Sequence, residues 1–106
     1  MKFLTLIITL LSLSSVFAGE MKKIDTVTRE TVANTYYAGF DSDEYYDFMY
    51  SEIWNVKLEE EKYEGCLVVV SGFTTETVLE ERSEVEFKVC INKTEKNDYS
   101  GYLLNL

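Results

Sequence analysis

Val85, Phe87, Val89 and Ile91 alternate with Glu84, Glu86, Lys88 and Cys90. A period of two is the mark of a strand with one apolar and one polar face. Such a strand requires partners for its backbone and a second layer over its apolar side. The flanking sequence supplies the partners. Trp54, Val56 and Leu58 alternate with Asn55, Lys57 and Glu59, which predicts a second half-buried strand. Residues 66–73 are rich in β-branched side chains and apolar on both faces at Val68, Val69 and Val70, as in a central strand. Gly72 marks a bulge or bend through which that strand continues to Leu79. Residues 80–83 read as a turn, 92–98 as a polar loop and 99–106 as a last strand at an edge. Short links between successive strands favour antiparallel pairing. The expected fold is therefore mainly β: a meander of four to five strands curled into a sandwich or barrel-like layer pair.

The N-terminal half is less regular. Residues 22–37 carry four threonines, which disfavours helix more than strand. Residues 41–54 satisfy two patterns. Asp41 is placed to cap a helix, with Glu44 three residues on and Tyr46, Met49, Tyr50, Ile53 and Trp54 on one helical face. The same aromatics suit a strand running from about 45 to 59, and this reading is preferred. A single helix near 42–52 packed on the sheet, giving an α+β fold, is the alternative.

Residues 1–18 have the order of a cleavable secretory signal. Lys2 supplies charge, an apolar stretch at 3–13 is broken only by Thr5, Thr9 and Ser12, and Val16-Phe17-Ala18 forms the cleavage site. The apolar stretch is short of the roughly 20 residues of a spanning helix, which argues against a retained anchor. The expectation is one small exported domain, residues 19–106, secreted or periplasmic. In an oxidising compartment Cys66 and Cys90 are expected to pair. That closure contributes roughly 3–4 kcal/mol of a typical total of about 5–15 kcal/mol. Cys90 lies on the charged face of its strand, and Cys66 shares parity with Val68 and Val70. The pairing predicted from this has Leu67 and Val69 meeting Val89 and Phe87 on the core side, with the bridge outside the main core.

Loss of Lys2 with the leader takes the net charge from −9 to −10. That balance repels nucleic acid and anionic membranes, and no insertion in a membrane is expected after cleavage. It permits a cationic partner. The chain contains no histidine, the commonest general base and transition-metal ligand. With both thiols paired no cysteine nucleophile remains, so an enzyme is not expected, nor a cofactor or a metal. The carboxylates at 59–61, 80 and 81 fall in predicted turns, on a chain too small for a glycosidase cleft, and a small hydrolase is disfavoured.

The densest chemistry is aromatic and acidic. Tyr36, Tyr37, Tyr45, Tyr46 and Tyr50 stand close in sequence with Asp43 and Asp47. Tyrosine joins an apolar body to a polar tip and suits recognition of a protein, peptide or glycan, with acids adding attraction for cations. These residues are the candidate binding surface. Asp41, Asp43, Asp47 and Glu52 occupy places one, three, seven and twelve of an EF-hand count, but Tyr45 stands where an oxygen ligand belongs and Tyr46 where glycine does. No calcium loop is expected. Asn92-Lys93-Thr94 fits the pattern for N-glycosylation in a eukaryotic secretory route. The segment Val68-Val69-Val70-Ser71-Gly72 resembles the QVVSG hairpin of cystatin-type protease inhibitors over those few residues, with valine in place of the glutamine and no Pro-Trp second loop. An overlap of a few residues carries no inhibitor function over to this chain. The favoured function is non-enzymatic binding through the aromatic and acidic surface. The alternative is an inhibitor or effector presenting a loop, near Gly72 or at 92–98, on a disulfide-closed hairpin.

Overall fold

The computed structural model describes the backbone of residues 2–37, 39 and 41–104, and side chains over the same range from Gly19 onward. Two helices precede four strands: α1 (Lys2–Tyr36), α2 (Ser42–Ser51), β1 (Ile53–Leu58), β2 (Val68–Val78), β3 (Glu81–Lys93) and β4 (Tyr99–Leu103). The strands form one antiparallel sheet in the order β1-β2-β3-β4, the meander expected from the short links. The sheet is not closed. Its second layer is helical, because α1 lies across β2, β3 and β4 and supplies the apolar cover a second sheet would otherwise provide. No helix among the described residues is long and apolar enough to cross a membrane.

The helical state of α1 through Tyr36 runs against the threonine content of residues 22–37, which disfavours helix. Thr26, Thr28, Thr31 and Thr35 each donate a hydroxyl hydrogen bond to the carbonyl four residues back, at 3.0, 2.8, 2.7 and 3.1 Å. The bond satisfies the hydroxyl inside the helix and allows Thr28 to be fully buried. Ile24, Thr28, Val32 and Tyr36 repeat at four-residue spacing, with Val27 beside them, and this stripe meets Val70, Phe87, Val89 and Ile91 of the sheet in one core. At Gly101 of β4 an added Cβ would stand 2.9 Å from Thr31 Oγ1 and 3.1 Å from Ile91 Cδ1, so the missing side chain lets helix and edge strand close.

Residues 42–51 are helix rather than the preferred strand. Asp41 is the N-cap as its sequence context suggested, its carboxylate accepting from the Asp43 N–H at 2.8 Å, and Asp43 and Glu44 stand in the first turn where negative charge is favoured. The face turned inward is Tyr45, Phe48 and Met49; Tyr46 and Tyr50 point outward. The residues of the EF-hand count thus lie on a capped helix and not on a loop.

Register also differs from the expected cysteine pairing. Val68 and Val70 face the helix opposite Ile91 and Val89, and Val69 pairs with Cys90 on the other face. Cys66 lies before β2 begins, so strand parity does not extend to it. The Cys66–Cys90 disulfide is present, with a Cα–Cα distance of 5.4 Å, and sits outside the helix-side core as expected. Residues 59–67 fold over it, and Cys90 is fully buried. Asn92 fixes this segment: its Oδ1 accepts from the Leu67 N–H at 3.1 Å and its Nδ2 donates to the Gly65 carbonyl at 2.9 Å.

Gly72 is regular, and the irregularity it suggested lies opposite. Asn55 and Val56 together face Gly72 in a bulge between Trp54 and Lys57. The turn comes earlier than expected, at Leu79-Glu80. Both residues are left-handed, with φ of 52° and 69°, in a two-residue hairpin link. Val68 to Gly72 pairs with β3 throughout and with β1 at Val70 and Ser71, so this segment is mid-strand and forms no hairpin turn.

Candidate functional site

The end of α1, the side of α2 and the distal half of the β2–β3 hairpin enclose an open groove of about 630 Å³. The capped turn of α2 brings Glu44, Asp47 and Phe48 to one wall, and strand alternation brings Thr75 and Thr77 to the other. Tyr36 and Tyr37 stand between them. The Tyr37 ring stacks on Phe48 with centroids 5.0 Å apart, and its hydroxyl donates to Glu44 Oε2 at 2.8 Å. Across the groove Glu52 accepts from Arg82 at 2.8 Å and from the Thr75 hydroxyl at 3.1 Å. Arg82 is thereby committed. Among the described residues no cation forms an ion pair with Asp43, Glu44 or Asp47.

The electrostatics follow from this geometry. Burial, and then the Glu76 carboxylate, push the Tyr36 phenol above its ordinary range. Burial raises Tyr37 as well, followed by its hydrogen bond to Glu44 and by the charges of Glu44, Asp41 and Asp47. Both rings therefore stay protonated at neutral pH. The groove offers neutral phenols, apolar ring faces and unneutralised carboxylates.

The candidate residues divide between this groove and its rim. Tyr36, Tyr37 and Asp47 line it. Tyr45 backs α2 against α1, donating to Asn34 Oδ1 at 2.8 Å, with burial raising its phenol ahead of the Glu30 charge. Tyr46 and Tyr50 are each 59% exposed one turn apart on the outer side of α2, and Asp43 is exposed at its start. Asn92 lies far from this cluster in the fold, beside the disulfide, with its amide engaged as described. Arg82 and its pairing with Glu52 are not foreseen in the sequence, where Glu52 figures only in the EF-hand count. Their contact spans 30 residues and has no local pattern to announce it.

A scan against protein-family models finds no match for this chain, and searches of curated proteins and of solved structures likewise find none.

Proposed function

We propose that the protein is an exported, non-enzymatic binding module that accepts a lysine- or arginine-bearing peptide segment in the groove between α1, α2 and the β2–β3 hairpin. The observation that carries this reading is the pairing of aromatic walls with carboxylates that lack a cation: Tyr37 stacked on Phe48, beside Glu44 and Asp47. A cationic side chain entering there meets ring faces and charge of the opposite sign together. The excess of acidic over basic residues adds long-range attraction for the same partner. The absence of histidine from the sequence and the commitment of both thiols to a disulfide support a role without catalysis. Export rests on the leader sequence, and a natural product whose intact mass begins at Gly19 is the expected finding.

The test is fluorescence anisotropy with labelled peptides matched in length and carrying lysine, arginine, glutamate or only neutral side chains. Binding is expected for the cationic peptides alone, weakening with salt, and about tenfold weaker in Glu44→Gln/Asp47→Asn. Equal binding of the glutamate peptide, or none by any peptide, removes the proposal.

A second reading, an inhibitor or effector that presents a loop, draws on the hairpin tip. Leu79 is 92% exposed there and Val78 55%. A panel of secreted proteases tests it: inhibition lost on Leu79→Ala is required.

A further inference from the structure

The sheet face turned away from α1 carries a concavity at the β1 bulge, with a volume of about 470 Å³. We propose that it binds a neutral polyhydroxylated ring, a single sugar residue of a glycan. The site is separate from the groove and does not depend on that reading.

Four observations converge on it. Ser71 is 2% exposed, lines this pocket and is the one buried side chain among the described residues whose polar atom has no hydrogen-bond partner. A hydroxyl buried in that state is costly, and a ligand hydroxyl that both donates and accepts relieves it. The bulge places Asn55, at φ 54°, in the lining, and bulges recur where a strand must re-aim a side chain towards a ligand. Phe73 forms one wall, and Trp54 stacks alongside it with an interplanar angle of 22° and centroids 6.4 Å apart. A half-buried aromatic shelf suits the apolar C–H face of a pyranose ring. Lys57 and Glu86 complete the lining with a cation and an anion.

That charge balance decides the ligand class. Lys57 and Lys88 flank Ser71 in register across three strands, while Glu59 and Glu86 lie close enough to act on Lys88. The Lys88 ammonium donates to Tyr63 at 3.0 Å. Neither a carboxylate nor a free ammonium finds an excess of opposite charge. A neutral ring with hydroxyls at its edge finds donors, acceptors and a flat apolar wall. The volume falls within the roughly 300–1,000 Å³ of small-molecule sites.

Trp54 is the only tryptophan of the chain, so its fluorescence reports on this pocket. The oxidised protein is titrated with methyl β-glucoside, methyl α-mannoside, cellobiose and chitobiose, and in parallel with glucuronate, glucose 6-phosphate and glucosamine. A saturable change with at least one neutral glycoside is expected, weakened about tenfold or more by Ser71→Ala. Since the Ser71 hydroxyl has no partner to lose, the same variant is expected to unfold at an equal or higher temperature, which separates lost binding from lost fold. Asp47→Asn, in the groove, is expected to leave the titration unchanged. No saturable change with any neutral glycoside, a preference for the charged sugars, or undiminished binding in Ser71→Ala would overturn the proposal.

Discussion

Arg29 donates from its guanidinium to the carbonyl oxygen of Met49 at 2.7 Å, joining the C-terminal part of α1 to the last turn of α2. The same nitrogen reaches the Ile53 carbonyl at 3.2 Å, and Asp25 holds the other side of the group through Nε. A cation there satisfies carbonyls that a helix end leaves unpaired and complements the negative end of the helix. Its carbon stands 5.3 Å from the Tyr50 ring centroid, so one side chain locates α1, α2 and the start of β1. Arg29→Met is expected to cost about 2–3 kcal/mol, the range for a partly buried charge-assisted hydrogen bond. Urea unfolding gives the value. A change under about 0.5 kcal/mol, the size usual for neutral surface substitutions, would show that α2 is held by its apolar face alone.

The hairpin tip is built from residues ill suited to it. Leu79 and Glu80 both occupy left-handed backbone, where a Cβ is disfavoured by roughly 1–2 kcal/mol per residue. Asn-Gly is the sequence that a two-residue link of this kind prefers. Leu79→Asn/Glu80→Gly is therefore expected to raise stability by about 1–2 kcal/mol in thermal and urea unfolding. If the tip is a contact surface, the same double variant loses partner binding while gaining stability. A destabilised double variant would mean that Leu79, exposed as it is, contributes packing.

Legibility in the sequence followed the range of the interactions. Val85 to Ile91 announced β3 because its period is set by residues two apart, and Trp54 to Leu58 did the same for β1. The N-cap at Asp41 was readable for the same local reason. α1 was misread because threonine was weighed by average propensity, while four hydroxyls bonding to carbonyls one turn back change what threonine costs in this helix. The α2 face was misassigned because Met49 belongs to either choice; the position of α1, a tertiary fact, turns Tyr45 and Phe48 inward. The groove has walls from three distant segments, and the Glu52–Arg82 contact follows from the hairpin register, which sequence alone did not place.

Asn92 and the disulfide act on one loop. Cys66 and Cys90 close 24 positions of chain, and Asn92 pins the Gly65 carbonyl and Leu67 N–H beside them. Cys66→Ser/Cys90→Ser is expected to lose about 3 kcal/mol and Asn92→Ala about 1–2 kcal/mol. Combined, they are expected to cost less than the sum, because a loop released by one change no longer benefits from the other restraint. A double-mutant cycle by urea unfolding checks this, and strict additivity would separate the two effects.

Glu20 near the start of the described side chains and Tyr99 of β4 share a hydrogen bond from phenol to carboxylate. That bond lowers the Glu20 carboxyl below its ordinary 4.5, and it raises the Tyr99 phenol above its ordinary 10.0. The two limbs of the stability curve have opposite signs. A depressed carboxyl contributes stability that is complete above pH 4.5 and is lost as pH falls through the folded-state value. A raised phenol contributes stability complete below pH 10.0 and lost as pH rises through its folded-state value. Tyr36, Tyr37 and Tyr45 are raised too, chiefly by burial, and add to the alkaline limb. Tyr99→Phe is therefore expected to flatten the acid limb and only part of the alkaline one, measured as urea midpoints from pH 3 to 11. Curves for the variant and the parent that stay parallel across that range would break the link between the Glu20–Tyr99 contact and stability.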